Sequence, residues 1–450
     1  MEIKKGSIIE GEIVDFTHEG NGVIKIDDFI YFVSGGLIGD VVRAEIDKIK
    51  KNFAIATVTE IIKPSKDRVD LDIKIEESLG GIPLINYDYE KQLKWKREKV
   101  EIDLEKFAGI EDMKVNETIG METPYRYRNH VQVAVGNHQG KTVIGFYKAG
   151  TNDIVPMKET ILQSEMGNKV LSLVKQWIDR YNIRPYDRKK QKGTLRHIGI
   201  RTNGKDEVML ILVTGEEMIP KKDELLEIIN NNTDKVKSIY QNVNKMKSPV
   251  VYGEKYKHIS GEEKLTDKIG DYEFSISPNS FFQTNRIQAE KLYDKAVEYL
   301  DLNKKDIVYD LYSGTGTIAI YMADKVERVY GIEVVKAAID DAKQNAAINM
   351  AANVEFVQGR SEDILPKISE ITKPSKIVLD PPRKGIEEGV LEKIINLNPE
   401  RIVYISCNSS TMSRDIKPLI ESGYKLKEVQ PVDMFPNAMD IEVVTLLIKE

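Results

Sequence analysis

Cysteine is almost missing from this 450-residue chain, in which Cys407 stands alone. One thiol forms no intramolecular disulfide and supplies no thiolate cluster, so a zinc or iron–sulfur centre built on several cysteines is excluded. Long apolar runs are missing as well. No stretch approaches the roughly 18 residues a membrane helix needs, and the opening Met1-Glu-Ile-Lys-Lys-Gly6 lacks the apolar core of a signal peptide. These absences predict a cytoplasmic protein without membrane association. Internal repeats and low-complexity segments are also absent, and no obligate protein partner is evident.

An excess of positive charge is missing too, because the net charge is −6. Taken over the whole chain this argues against nucleic acid, yet charge acts through its distribution. Residues 180–260 hold 17 Lys and Arg against 10 Asp and Glu. Their densest part carries Arg184, Arg188, Lys189, Lys190, Lys192, Arg196 and Arg201, opposed only by Asp187. Such a run is usually a solvated surface; here it is also a candidate RNA-facing one.

What is present is enough for more than one core: 450 residues, 41% of them hydrophobic, predict two or three domains. Short β-rich runs at 8–16, 22–26, 29–33, 41–46 and 53–61, broken by Glu19-Gly-Asn-Gly22 and Gly35-Gly36, predict a small closed barrel of the oligonucleotide-binding type. Pro64-Ser-Lys-Asp67 reads as a linker, and a strongly polar helix is expected near 87–107. A mixed α/β region follows, with strand-like runs at 129–135, 143–147, 198–201 and 208–213. From Ser280 the rhythm becomes helices alternating with buried strands at 307–311, 329–332, 354–357, 377–379 and 402–405, the pattern of a doubly wound parallel sheet. Two last runs, 425–432 and 443–448, are spaced for an antiparallel pair at its edge. The fold class expected is α/β in three parts: a barrel over 1–64, a central α/β domain over 65–270, and a Rossmann-like domain over 271–450.

In such a sheet ligands bind beyond the carboxyl ends of the strands. After the first strand stands Tyr312-Ser-Gly-Thr-Gly-Thr317, whose glycines let the backbone turn tightly against a ligand. Its spacing differs from the GxGxxG of dinucleotide sites, which argues against a nicotinamide-dependent oxidoreductase. The second strand ends in Glu333, placed to accept hydrogen bonds from a ribose diol, although an acid there also serves as a helix cap. After the fourth comes Asp380-Pro-Pro-Arg-Lys-Gly385, a carboxylate on a loop stiffened by paired prolines. After the fifth comes Ser406-Cys407-Asn408. A lone cysteine is usually a small buried hydrophobe, but here a following helix is expected to lower the thiol pKa and favour the thiolate.

Five motifs in order, Ser280-Phe-Phe-Gln-Thr-Asn285, Asp310-Leu-Tyr-Ser-Gly-Thr-Gly316, Asp380-Pro-Pro-Arg-Lys-Gly385, Ile405-Ser-Cys-Asn408, and Asp433-Met-Phe-Pro436 followed by Glu442, are similar to those of the RNA uracil-5-methyltransferases. Members of that family modify tRNA or large-subunit ribosomal RNA, and the chain most resembles the ribosomal branch, with its N-terminal TRAM barrel. The resemblance covers essentially the whole chain. It implies an S-adenosylmethionine-dependent enzyme that forms 5-methyluridine in 23S rRNA, tRNA being the alternative substrate. It implies Gln283, Tyr312, Glu333 and Asp380 in the cofactor pocket, Cys407 as nucleophile and Glu442 as base. Many relatives hold an iron–sulfur cluster on four cysteines; Ile73, Leu79, Ile82 and Thr160 occupy those places here, so no cluster is expected and packing replaces it. Asp440 stands where the family has histidine, and Ala438 where it has threonine. A reading from a different class, an RNA-binding or ribosome-assembly factor that kept the fold without catalysis, rests on these departures.

Overall fold

The computed structural model describes residues 4–71, 81–148 and 151–450. The first strands are β1 (Ile8–Glu12), β2 (Asp15–Phe16), β3 (Gly22–Ile26), β4 (Phe29–Ser34), β5 (Val41–Ile49) and β6 (Phe53–Lys63). They form one sheet in the order β1-β5-β6-β4-β3-β2. Since β1 runs on into β2, and Val14 N–H bonds to the Val23 carbonyl, the sheet closes into the expected barrel around Ile13, Ile24, Val33, Val42 and Ile46. The segment that reads as a linker is fastened to it. Asp40, fully buried, accepts from the amides of Leu37 (2.6 Å) and Ser65 (2.7 Å) and pairs with Arg68 at 2.5 Å. Pro64-Ser-Lys-Asp67 therefore ends the barrel as an anchored turn.

The polar helix exists as α1 (Tyr89–Asp103), capped by the Asp88 side chain and continued by one π-helical turn, Leu104–Ala108. Its buried stripe is itself polar: Gln92, Lys96 and Asp103 are buried together with Trp95 and Val100. Each of the polar three has a partner. Lys96 Nζ lies 2.5 Å from Asp433 Oδ1 with both side chains fully buried, and donates to the Phe435 carbonyl at 3.0 Å. Gln92 bonds to Leu84, Tyr87 and Asn437, and Asp103 accepts from Lys99 Nζ at 2.8 Å, while Trp95 Nε1 donates to Asp15 of the barrel at 2.9 Å.

Next come β7 (His130–His138), β8 (Lys141–Tyr147), β9 (Ile154–Pro156), α2 (Glu165–Arg180), β10 (Leu195–Thr202), β11 (Val208–Thr214), α3 (Lys222–Asn232), β12 (Val236–Val243) and β13 (Lys255–Gly261). The central sheet runs β13-β12-β11-β10-β7-β8-β9, antiparallel except where α3 carries the chain from β11 to a parallel β12. Helices α2 and α3 bury their apolar sides on one face, around Trp177, Leu210 and Leu225. Of the positions that hold cluster cysteines in relatives, Ile73 and Leu79 lie outside the described residues. Ile82 packs with Ile85, Met121, Tyr127, Ile161 and Leu162, and buried Thr160 exchanges hydrogen bonds with Asn168.

A hairpin, β14 (Leu265–Ile269) with β15 (Tyr272–Ile276), turns at residue 270 and packs on the helices that follow. Then come α4 (Arg286–Leu300), β16 (Ile307–Leu311), α5 (Thr317–Met322), β17 (Arg328–Glu333), α6 (Lys336–Ile348), β18 (Val354–Gln358), α7 (Ser361–Ile371), β19 (Lys376–Leu379), α8 (Glu388–Leu397), β20 (Arg401–Ser406), α9 (Ser409–Glu421), β21 (Tyr424–Val432) and β22 (Glu442–Lys449). Their sheet has the order β18-β17-β16-β19-β20-β22-β21, parallel through β20 and antiparallel in the last two strands. Alternate residues serve opposite faces: Val308, Val329 and Val378 meet one group of helices, Tyr309, Ile332 and Leu379 the other. Because β17 and β19 flank β16 on opposite sides, the strand order reverses at β16, where a crevice opens.

Removing one partner of the buried Lys96–Asp433 pair leaves an uncompensated charge, which costs about 3–5 kcal/mol. Lys96→Met is therefore expected to lower stability by that amount in urea denaturation. A loss within error of zero would show that the pair does not anchor α1.

Candidate active site

The crevice is built by the strand ends. Leu311 of β16 pairs with Leu379 of β19, and the Asp380 amide bonds to the Leu311 carbonyl at 3.3 Å, so Tyr312 and Asp380 leave neighbouring strands side by side. Tyr312 takes the left-handed conformation (φ 65°), unusual for a bulky residue, and the two glycines after it also have positive φ. At Gly316 an added Cβ would lie 2.4 Å from Phe356, so only glycine fits. At Gly314 it would meet nothing, which leaves open space above the turn for a ligand. Glu333 holds this turn by accepting from the amides of Gly314 (3.1 Å) and Val335 (2.8 Å). It thus ties the glycine turn to the residue before α6.

The Ser280–Asn285 segment is fastened from three sides. Asp341 of α6, itself paired with Lys264 at 2.7 Å, accepts from the hydroxyls of Ser277 and Ser280. Arg201 Nη2 donates to the Ser280 carbonyl at 2.5 Å, and Asn129 Nδ2 to the Gln283 carbonyl at 2.7 Å. Asn285 caps α4 through the Gln288 amide. Gln283 is buried beside Tyr293, whose hydroxyl pairs with Thr317 at 2.9 Å. Tyr312, Glu333 and Asp380 therefore meet at the glycine turn, and Gln283 lies beside Tyr293, which pairs with Thr317 where that turn enters α5.

Cys407 follows β20, and the Asn408 side chain caps α9 by accepting from the amides of Ser410 and Thr411. Glu442 opens β22, whose neighbour Val443 pairs with Ser406, so the carboxyl stands beside the thiol. The loop leading to Glu442 is held by Lys96, by Tyr89 Oη donating to Asp433 at 2.7 Å, by Tyr127 Oη donating to the Pro436 carbonyl at 3.0 Å, and by Asn285 and Gln288 bonding to Met434 and Asp433 carbonyls.

Electrostatically the site is acidic, and its Asp310 and Glu442 carboxyls are buried. Burial pushes the Asp380 carboxyl up to about 7. Burial and then the charges of Asp380 and Asp440 hold Glu442 well above the usual carboxylate range, and Glu442 Oε2 has no hydrogen-bond partner. Asp310, the last-but-one residue of β16, is completely buried; burial and then Asp380 raise it strongly, with the Ala319 amide opposing them. The expected lowering of the thiol by α9 is not found. Burial first, then the facing Glu442 and Asp380, push Cys407 up to about 12, with Arg383 alone opposing them. Desolvation and two carboxylates outweigh the end of one helix.

Such unpartnered acids fit a cofactor that brings its own positive charge and hydrogen-bond donors, and the open turn at Gly314 fits a close backbone approach. Sequence reasoning assigned no role to Asp310 or Arg383, although both sit in the quoted motifs at strand ends. Among the described residues no group of His, Cys, Asp and Glu is arranged to hold a metal ion.

The basic stretch divides. Arg196 is buried, donating to the Asn244 and Met246 carbonyls, and Arg201 is buried against Ser280. These two hold the fold together and do not face RNA. Arg184, Lys189, Lys190 and Lys192 are exposed on the loop before β10, and the strand start at Lys255 with the loop after β12 brings Lys245, Lys247, Lys255 and Lys257 to the same end of the central sheet.

Residues 88–450 match the family model for tRNA (uracil-5-)-methyltransferase, and residues 3–59 match the TRAM domain. An RNA methyltransferase of Clostridium tetani is 42% identical over 99% of this chain and 97% of its own length, and one of Halalkalibacterium halodurans is 41% identical over 99% and 98%. The crystal structure of the Pyrococcus abyssi tRNA (uracil-54, C5)-methyltransferase in complex with S-adenosyl-L-homocysteine is 28% identical and superposes with a TM-score of 0.78, over 98% of this chain and all of that one. With its glycine turn, strand-end acids and closed barrel, the chain belongs to the uracil-5-methyltransferase family of S-adenosylmethionine-dependent RNA methyltransferases.

Proposed function

We propose that this chain forms 5-methyluridine in structured RNA by a covalent route, with Cys407 as nucleophile, Glu442 as base, and Gln283, Tyr312, Glu333 and Asp380 around the cofactor. The observation that carries the reading is the meeting of the chain's single thiol with the carboxyls of Asp380 and Glu442 beyond the strand ends of one crevice. Carbon 5 of uracil is too weak a nucleophile to take a methyl group unaided. Addition of the Cys407 sulfur to carbon 6 forms an enolate whose charge reaches carbon 5. S-adenosylmethionine, when bound, supplies the electrophilic methyl group. Glu442 then removes the carbon 5 proton, and the carbon–sulfur bond breaks to release the cysteine. A carboxyl held above its usual range is, once ionised, a stronger base than a free glutamate, which suits this step.

The target uridine has to leave its stack to expose carbons 5 and 6. Residues 1–64 are the barrel that contacts RNA beside the site. Its Phe16 and Leu37 pack in one cluster with Trp95 of α1 and with Met439, three residues before Glu442. Residues 65–270 supply the lysines at the end of the central sheet, and residues 271–450 the chemistry. The substrate in this reading is large-subunit ribosomal RNA, with folded shape and splayed bases providing recognition. Transfer RNA is the second reading, favoured by the archaeal tRNA enzyme, which matches over 98% of this chain, barrel included. Purified protein offered unmodified 23S rRNA and unmodified tRNA side by side with labelled cofactor decides: label in the tRNA alone overturns the ribosomal reading.

For the chemistry, wild type should trap RNA containing 5-fluorouridine as a denaturation-resistant adduct, and Cys407→Ala should abolish methylation while still binding cofactor. Turnover by that variant would remove Cys407 from the reaction. Glu442→Gln should attack and methylate but accumulate the adduct on unmodified RNA, because elimination lacks its base; normal turnover would pass the role to another group.

The pH dependence has a defined sign. Both Cys407 and Glu442 ionise above their ordinary ranges, and each reacts only after losing its proton. The single-turnover methylation rate should therefore rise with pH from neutral to alkaline solution. A maximum on the acid side would show that a protonated group is required instead.

A further inference from the structure

The central sheet has two faces, and helices cover only one of them. Val131, Val133, Ile198 and Ile200 point to α2 and α3. Register puts the residues between them on the opposite face, where His197 pairs with Ala134, Gly199 with Gln132, and Arg201 with His130. Gly145 of β8 pairs with Ala134, so Tyr147, two residues on, joins that face, and its ring meets the His197 ring edge-on at 6.3 Å. Over β11 and β12 the face is covered, because Met209, Ile211, Val213 and Tyr240 pack with Leu265 of the hairpin and with the 251–256 segment. Tyr252 of that segment marks the boundary. A Cβ added at Gly199 would stand 2.3 Å from its hydroxyl, which shares a hydrogen bond with His130 Nε2 at 2.9 Å.

Beyond Tyr252 the face over β10, β7 and β8 is a strip of rings and an amide. His130, Gln132, Tyr147 and Tyr252 are each partly exposed along it. The Tyr252 and His130 rings are nearly parallel, at 14° with centroids 6.0 Å apart. Positions 130, 132, 147, 197, 199 and 201 hold neither Asp nor Glu. In a chain of net charge −6, the strip therefore presents no carboxylate of its own to a phosphate. At one end of it Arg201 and Asn129 hold the Ser280 and Gln283 carbonyls. At the other, β10 begins straight after the basic loop, and Arg188 of that loop donates to Asn152 Oδ1 at 3.4 Å, in the turn that follows Tyr147. The strip thus runs from the cations before β10 to the segment that carries Gln283.

We propose that this strip seats a single-stranded segment of the RNA substrate beside the target uridine, with bases stacked on Tyr147 and Tyr252 and a base edge on the Gln132 amide. The choice of single strand over duplex follows from what the strip offers. A duplex turns its phosphates outward and keeps its base faces covered, so it would use cations alone; rings and an amide serve bases that are already unstacked. A uridine that leaves its stack uncovers the bases next to it, and the strip gives them new surfaces. An extended peptide gains less here, because the backbone groups of β10, β7 and β8 are already paired within the sheet and offer it no main-chain partners. The seat rests on RNA being the substrate and not on the role of Cys407, and it is read by binding without turnover.

Full-length protein is titrated into a fluorescein-labelled, uridine-rich single-stranded RNA and into a blunt RNA duplex of equal charge, and anisotropy gives the affinity for each. Tyr147→Ala should weaken single-strand binding about tenfold, the loss of one stacked base, and leave duplex binding as in wild type. Tyr147→Phe keeps the ring and should bind the single strand as wild type does. Gln132→Glu puts a carboxylate where the strip has none; it should weaken single-strand binding most at low salt, with the difference shrinking as salt rises. Calorimetry of cofactor binding identifies any variant that has lost its fold; if Tyr147→Ala has, Gln132→Glu decides alone. Wild-type affinity in both Tyr147→Ala and Gln132→Glu would refute the seat, and a strip that takes a protein segment instead of RNA would give that result. Equal losses for single strand and duplex would refute it too, since they mark a phosphate-binding surface without stacking. A Cys407→Ala protein that still methylates would remove the covalent route and leave the seat as measured.

Discussion

The contact between Lys96 and Asp433 joins everything that reacts to everything that holds. Both side chains are fully buried, on elements 337 residues apart in the chain. One belongs to the helix that also carries the barrel through Trp95; the other begins the loop that ends in Glu442. A buried ion pair seldom contributes net stability over a well-packed apolar substitute, because desolvating two charges costs about what their attraction returns. What it does supply is direction. An apolar contact tolerates sliding, whereas Tyr89, Tyr127, Asn285 and Gln288 each fix one atom of the loop by a hydrogen bond, and Lys96 and Gln92 two each. The base proposed at Glu442 would have to reach a single carbon, a task that calls for this kind of restraint.

The same logic explains why the crevice is so poor in positive charge. Asp310, Asp380 and Glu442 are all raised there, Asp380 by burial and the other two by burial and then by Asp380. Leaving buried acids unpartnered destabilises the protein without its ligand. It is a reasonable arrangement for a site whose cofactor carries a sulfonium and an ammonium group, because the electrostatic gain is then realised only on binding. The fully raised thiol belongs to the same arrangement: a reactive sulfur kept protonated in the absence of substrate is protected from oxidation and stray alkylation.

Legibility in the sequence followed chemistry more than position. Parallel strands buried on both faces read as unbroken apolar runs, so β16, β17, β19 and β20 could be located to within a residue or two. The hairpin pair β21 and β22 was equally clear. What escaped were the polar interiors. Gln92, Lys96 and Asp103 share a helical stripe, but polarity at that spacing reads as a solvated face, and only the partners across space reveal a buried one. Arg196 and Arg201 misled for the same reason, since each is matched to backbone carbonyls that sequence cannot locate. Strand β12, Val236-Lys-Ser-Ile-Tyr-Gln-Asn-Val243, has too few alternating apolar residues to announce itself; Gln241 and Asn242 are buried in it because a hydroxyl and loop carbonyls wait for them. The sign of the thiol shift was missed because it depends on acids contributed by two other strand ends.

Separation of affinity from chemistry is the remaining consequence of this layout. The exposed lysines occupy the end of the central sheet where β10 begins, whereas the other end of that strand delivers Arg201 to Ser280, in the segment that carries Gln283. The strand is therefore the rigid spacer between a surface that attracts phosphates and a crevice that holds acids. The buried carboxyls of the crevice lie above their usual range and so carry less charge than free acids, which lets an RNA held by the lysines bring one base to them without the full repulsion between phosphate and carboxylate.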